Sequence, residues 1–258
     1  MSPQIIPTAE PFFFPGNRIG CLLVHGFTGA PKEMRPMGEY LNAQGYSVLS
    51  VRLFGHATDI ADMKRARWRD WAACVEDGWH MLSDSTDQIF IIGLSMGAAL
   101  SLYAGSQFPA AGIVAMAAPY NTPVTGITRA LLGVGKYYAL LNPYHAKGPE
   151  NWFNPERQSG HICYDRDPVR GGVEVDALLG AMRAGLPKIT APVLLMHSRD
   201  DLAVPPEHMQ LIYNHLTVSD KEMLWVENAS HPITVDGDRQ RVFEAAADFV
   251  QRVSATAA

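Results

Sequence analysis

The stretch from Gln88 to Leu100, Gln-Ile-Phe-Ile-Ile-Gly-Leu-Ser-Met-Gly-Ala-Ala-Leu, constrains the fold more than any other part of the chain. Ile89, Phe90, Ile91 and Ile92 form a run of large apolar residues, three of them β-branched, which suits a strand buried on both faces. From Ser95 onward the pattern changes, and Ala98, Ala99, Leu102 and Ala104 recur at helical spacing. Gly93-Leu94-Ser95-Met96-Gly97 therefore sits where a strand becomes a helix. G-x-S-x-G at such a junction makes a tight turn that lifts the serine hydroxyl clear of the sheet. The flanking glycines keep Cβ atoms away from a strained serine, and the helix start favours negative charge nearby. The pentapeptide alone is weak evidence; its placement between an apolar strand and an Ala-rich helix marks Ser95 as a candidate nucleophile.

A serine hydroxyl is a poor nucleophile at neutral pH and needs a base, which in turn needs a carboxylate to hold its tautomer. On a sheet of this kind the expected chain order is Ser, acid, His. Of nine histidines the last, in Asn228-Ala229-Ser230-His231-Pro232, follows the final apolar strand, where a loop can reach back to Ser95. His208 and His215 fall in a helical pattern and are expected at the surface, while His25 and His197 close strands and are expected to make local hydrogen bonds. The acid lies in His197-Ser198-Arg199-Asp200-Asp201-Leu202-Ala203-Val204-Pro205, where two adjacent aspartates compete.

Around these residues, strands are expected near 19–26, 46–53, 112–117, 191–197 and 221–227. Helices are expected near 32–44, 209–216 and 238–253, and a further one carries Trp68, Trp71, Val75, Trp79 and Leu82 on one face. Near-continuous apolar strands alternating with helices imply an α/β fold with a mainly parallel sheet covered on both faces. Residues 120–190 differ. They hold no convincing core strand, are rich in Pro, Gly, Asn and Tyr, and show two short helical patterns, at 127–141 and 174–184. We read them as a cap inserted over the active site of a core formed by 1–119 and 191–258.

These motifs resemble the α/β-hydrolases, in particular the small bacterial carboxylesterases and monoacylglycerol lipases. The likeness covers Phe12-Phe13-Phe14, Leu22-Leu23-Val24-His25-Gly26-Phe27-Thr28-Gly29, Gly93-Leu94-Ser95-Met96-Gly97 and Ser230-His231, and fails over the cap. It lays His197, Asp201, Val204 and Pro205 onto the family's H-G-x-x-D-x-x-V-P, which selects Asp201 over Asp200, with Ser198 in place of the usual glycine. It also implies that the backbone N–H groups of Phe27 and Met96 form an oxyanion hole, where preorganised amides stabilise a tetrahedral intermediate. Many relatives carry Gly-His-Gly where this chain has Gly55-His56-Ala57, so His56 is given no catalytic role. The resemblance implies an α/β-hydrolase fold and a serine hydrolase of carboxylic esters with short to medium acyl chains, such as monoacylglycerols. Thioesters and feruloyl-type esters are alternatives, as is an interfacial lipase; a non-catalytic small-ligand binder on the same fold is the rival from another class.

Composition narrows the partners. A net charge of -5 gives no basic footprint for nucleic acid, and no apolar run reaches the length of a membrane span. Cys21, Cys74 and Cys163 are odd in number and widely spaced, and the first residues lack the charged and apolar regions of a secretory signal, so a cytoplasmic location is expected. Neither metal-ligand spacing nor a glycine-rich dinucleotide loop is found, and no cofactor is expected.

Overall fold

The computed structural model describes residues 4–122, 143–148 and 151–256. Its centre is a seven-stranded sheet formed by β1 (Phe12–Phe14), β2 (Ile19–Val24), β3 (Ser47–Val51), β4 (Gln88–Leu94), β5 (Gly112–Met116), β8 (Val193–Ser198) and β9 (Lys221–Val226), in the spatial order β1-β3-β2-β4-β5-β8-β9. Every pairing is parallel except that of β1 with β3. The Phe12–Phe14 run is thus an antiparallel edge strand. A two-stranded antiparallel pair, β6 (Tyr144–Ala146) with β7 (Arg166–Pro168), lies in the expected cap region and apart from the central sheet.

The expected helices are present, with adjusted ends: α1 (Arg35–Ala43), preceded by a 3-10 turn at Pro31–Met34, α3 (Trp68–Ser83), α4 (Met96–Gly105), α7 (Glu207–His215) and α8 (Arg239–Thr256). Two short helices, α2 (Ile60–Met63) and α5 (Pro155–Ser159), have too little periodicity to be read from sequence. The 174–184 pattern belongs to a longer helix, α6 (Val169–Gly185). Its first turns contain Gly171 and Gly172, which weaken the helical signal. A Cβ on Gly171 would stand 2.7 Å from the Phe27 ring, so packing explains that glycine. The 127–141 pattern falls outside the described residues.

Alternation along β4 feeds two cores. Ile89 and Ile91 pack with Trp71, Val75, Leu102, Leu179 and Ile212 on the face covered by α3, α4, α6 and α7, whereas Phe90 and Ile92 pack with Met37, Leu41, Phe243 and Val250 under α1 and α8. Each large side chain fully buried there contributes about 2 kcal/mol. Among the described residues no helix is long and apolar enough to cross a membrane.

This sheet order positions the site. The chain steps outward from β2 to β3, then returns past β2 to β4 and runs on through β5, β8 and β9. Such a reversal opens a crevice at the carboxyl ends of the two strands that flank it, β2 and β4. Val24 lies beside Gly93, Leu94 beside Met116, and Met116 beside Met196, so the loops after these strands emerge at one level.

Candidate active site

Ser95 stands between β4 and α4 with φ 56° and ψ −120°, a conformation that costs a non-glycine residue of order 1–3 kcal/mol. The surroundings hold it there. The Ser95 N–H donates to the Met116 carbonyl at 2.8 Å, and its own carbonyl accepts from Ala98 and Ala99 at 3.0 and 3.1 Å. A Cβ at Gly93 would lie 2.2 Å from the Gly97 carbonyl oxygen, and one at Gly97 would lie 2.2 Å from that of Val24. Both glycines are therefore required by close backbone approach.

His231 lies in the loop after β9, with Nε2 2.8 Å from Ser95 Oγ and Nδ1 2.7 Å from Asp201 Oδ2. Asp201 lies in the loop after β8; its Oδ1 accepts the N–H groups of Ala203 and Val204 at 2.8 and 2.9 Å, which fixes the carboxylate plane. Burial pushes the Asp201 carboxyl up, but the adjacent His231, hydrogen bonds from His197 and His231 and the Val204 N–H outweigh it and hold the group well below the usual carboxylate range. Asp201 is thus ionised at neutral pH, an acceptor for Nδ1–H that leaves Nε2 free to accept the serine proton.

The neighbouring Asp200 faces another way: its Oδ2 accepts the Asn228 N–H at 2.9 Å. His25 is fully buried; its Nδ1 bonds locally, to the Gly26 carbonyl at 2.9 Å, whereas its Nε2 accepts the Leu53 N–H from the loop after β3 at 3.1 Å. His197 also bonds locally, as expected, and its partners put it against the acid: Nε2 lies 3.1 Å from the Val204 carbonyl and 3.2 Å from Asp201 Oδ2. His56 is buried beside His25, Phe27 and Trp71 and bonds the Phe54 carbonyl. His215 is exposed, but His208, in the first turn of α7, is half-buried, accepts the Tyr120 N–H at 3.2 Å and lines the cavity.

Phe27 and Met96 line the same cavity as Ser95. Because intrahelical bonding starts at Ala98, the Met96 N–H is one of the free donors at the start of α4. The cavity measures about 510 Å³. Val175, Leu179 and Leu202 contribute apolar wall; Asn121, Lys147 and Asn151 contribute polar groups. Trp152 also lines it, whereas Phe153 is an exposed side chain.

Three residues that matter here escape a sequence reading. Ser198, in the glycine position of the acid motif, donates from Oγ to the Ala229 carbonyl at 2.5 Å and so ties the acid loop to the histidine loop. Glu33 and Asp236 are buried carboxylates beside the cavity loops. In sequence each resembles an ordinary surface charge; the only signal for Glu33 is its closeness to the His25–Gly29 motif.

Parallel strands that deliver a serine, an aspartate and a histidine from three loops at their carboxyl ends into one hydrogen-bonded line make this molecule a serine hydrolase of the α/β-hydrolase fold. More narrowly, residues 17–238 match the Hydrolase_4 family (serine aminopeptidase, S33), and the chain belongs to that family. It is 33% identical over 246 residues, 95% of each chain, to a thermostable monoacylglycerol lipase of Bacillus sp. (strain H-257). It is 28% identical over 249 residues, 96% of this chain and 98% of the relative, to a carboxylesterase of Bacillus subtilis (strain 168). Among solved structures, one from the metagenome-derived lipolytic enzymes LipS and LipT superposes with a TM-score of 0.88 at 32% identity, covering 96% of this chain and all of the other. The monoacylglycerol lipase of Paleococcus ferrophilus shares the fold, with a TM-score of 0.78 at 20% identity over 95% of this chain and 98% of that one.

Proposed function

We propose that the protein hydrolyses carboxylic esters of short to medium acyl chains through an acyl-enzyme, with monoacylglycerols as the substrate class. The observation that carries this reading is the unbroken line from Ser95 Oγ through His231 to Asp201 at the edge of a cavity with apolar and polar walls. In this mechanism Ser95 attacks the ester carbonyl while His231 takes its proton. Asp201 holds the imidazole in the tautomer that can do so and stabilises the imidazolium that forms. The Phe27 and Met96 amides donate to the oxyanion, the charge that distinguishes the transition state from the bound ester. His231 then returns the proton to the leaving alcohol, and water repeats the sequence to release the acid.

Residues 120–190 act in this reading as a cap that shapes substrate choice. Val175 and Leu179 receive the acyl chain, and the polar group around Asn121, Lys147 and Asn151 receives the glycerol end. Kinship with a relative named monoacylglycerol lipase and another named carboxylesterase supports the substrate class. A cytoplasmic location belongs to the same reading and is supported by three free cysteines.

The test is hydrolysis of a p-nitrophenyl ester series of increasing acyl length, with 1-monoacylglycerols and aminoacyl p-nitroanilides in parallel, by wild type and Ser95→Ala. Ester turnover that vanishes in Ser95→Ala, with 1-monoacylglycerols cleaved faster than simple esters of equal acyl length, supports the reading. Turnover confined to the anilides overturns the ester assignment, and turnover retained by Ser95→Ala overturns the nucleophile.

A further inference from the structure

Three sets of hydrogen bonds fasten residues 151–164 to the loops that carry the site. On the acid loop, Asn151 Nδ2 donates to the Asp200 carbonyl at 2.6 Å. On the histidine loop, Asp236 Oδ2 accepts the N–H of Ser230, the residue before His231, at 3.0 Å; the same carboxylate accepts the N–H groups of Phe153 and Asn154 at 3.0 and 2.8 Å. On the oxyanion loop, Glu33 Oε1 accepts the N–H of Gly26, the residue before Phe27, and Glu33 Oε2 lies 3.0 Å from His161 Nε2. The backbone adds a further link, Tyr164 N–H to the Thr28 carbonyl at 3.1 Å.

Glu33 and Asp236 are 4% and 0% exposed. Burying a carboxylate is costly unless donors surround it, and as a device for stability alone it compares poorly with an apolar side chain of similar volume. Here the donors are specific. A Cβ on Gly29 would lie 2.5 Å from Glu33 Oε2, so the oxyanion loop is wrapped around that carboxylate. Burial alone would lower the His161 pKa, but its hydrogen bonds to Cys163 and Glu33 raise it, which keeps the Glu33–His161 pair charged at neutral pH. Each carboxylate thus bridges residues 151–164 and a main-chain N–H adjacent to a residue that acts on the substrate.

We propose that Glu33 and Asp236 are positioning residues: each locks one active-site loop to the 151–164 segment, so that this segment sets turnover as well as substrate choice. The proposal rests on the ester-hydrolase reading above. The chemistry of the two carboxylates separates their isosteric variants. Gln at 33 can still accept from Gly26 through its carbonyl and donate its NH₂ to a neutral His161, so both links survive uncharged. Asp236 faces three N–H donors, and an Asn there turns an NH₂ toward at least one of them.

The experiment measures kcat and KM on a p-nitrophenyl ester, thermal melts, and the affinity of a phenylboronic acid that mimics the tetrahedral adduct. Glu33→Ala is expected to lose about 100-fold in kcat with KM within about threefold, in line with loss of a preorganised donor. Glu33→Gln is expected to return to within about tenfold of wild type, and Asp236→Asn to lose about 30-fold in kcat, with boronate affinity falling in step. Should Glu33→Ala fail to fold, His161→Gln, which leaves the Gly26 bond in place, takes its role with an expected loss of about tenfold. Folded variants with kcat within twofold of wild type, losses confined to KM, or losses equal to the fraction unfolded overturn the proposal. A wild type without Ser95-dependent ester turnover overturns the ester-hydrolase reading and this proposal with it, whereas normal wild-type turnover with unchanged variants overturns this proposal alone.

Discussion

The turn from Gly93 to Gly97 and the segment from Asn151 to Pro168 both border the cavity, and they are built in opposite ways. The turn is held by main-chain contacts: residues 93–97 are buried apart from the half-buried Ser95, and two of them have no room for a Cβ. In the segment only Tyr164 and Pro168 are buried, its regular structure is one short helix and one short strand, and it meets the site through side-chain staples. Contacts of the first kind tolerate almost no substitution. Those of the second kind let the segment's other side chains vary while the loops beneath stay in register. The difference separates a nucleophile turn fixed by backbone packing around a strained serine from a segment fastened to the neighbouring loops by polar side chains, through which, in the reading proposed above, it sets turnover as well as substrate choice.

The largest effect that can break this contrast is on the turn's own side. Asp201→Asn should lower kcat by about a thousand- to ten-thousand-fold with the fold intact. Its carbonyl oxygen stays on the Ala203 and Val204 N–H groups, so its NH₂ meets His231 Nδ1. That nitrogen must then accept, the imidazole proton moves to Nε2, and Ser95 loses its base. A loss below tenfold, measured with a melting temperature close to wild type, would mean that another carboxylate serves His231.

How much of this was legible follows from the same contrast. The strand before Ser95 and the helix after it announce themselves because a doubly buried strand is apolar at every position and an elbow needs small residues. His231 follows from chain order. The choice between Asp200 and Asp201 could not come from spacing, since neighbours share it; family likeness made the choice, and Asp201's bonds to Ala203 and Val204 are what turn it toward His231. Above the sheet, the signals fade. Three-residue strands such as β6 and β7 carry no usable period, and α6 hides its first turns behind two glycines, one of them required by the Phe27 ring. Asp236 could not be read at all, and Glu33 only through its closeness to the His25–Gly29 motif, because a buried staple and a solvated surface charge look the same until the donors around them are known.

Next in size is a stability effect at the turn. Gly97→Ala would push a methyl group into the Val24 and His25 carbonyl oxygens, at 2.2 and 2.5 Å, with backbone on both sides and no flexible side chain to yield. A loss of about 3 kcal/mol or more is expected, at the upper end for overpacking, read as a shift in the denaturant midpoint. A shift under 1 kcal/mol would show that the strand and helix can separate, and the rigid half of the contrast would fail.

The segment responds to acid instead. Burial pushes the Asp236 and Glu33 carboxyls up, but hydrogen bonds from Ser230, Phe153 and Gly237 to the first, and from His161 and Gly26 to the second, bring both below their ordinary values. A carboxyl whose folded pKa is depressed adds stability that is fully present above the unfolded value, near 4. That stability is lost as pH falls through the folded value. The difference in melting temperature between wild type and Asp236→Asn should therefore be larger at pH 7 than at pH 3. A difference that grows toward pH 3 would mean that the charge on Asp236 opposes the fold, and the staple would be no staple.

The smallest expected effect is at the residue beside the acid. Asp200 gives its carboxylate to the Asn228 N–H at 2.9 Å and its carbonyl to Asn151. Asn at 200 keeps a side-chain oxygen for Asn228 and leaves the carbonyl untouched, so the links of the acid loop to the histidine loop and to the segment both persist. Nothing in that exchange alters the tautomer of His231, and kcat should stay within about threefold of wild type, as expected of a substitution away from the reacting atoms. Measured beside Asp201→Asn, the pair becomes a sharp comparison: two adjacent aspartates made amides, one expected to stop turnover and the other to leave it nearly unchanged. If Asp200→Asn were the damaging one, the acid loop would have to turn by one residue to serve His231. The Ala203 and Val204 N–H groups that now hold Asp201 would then have to find another acceptor.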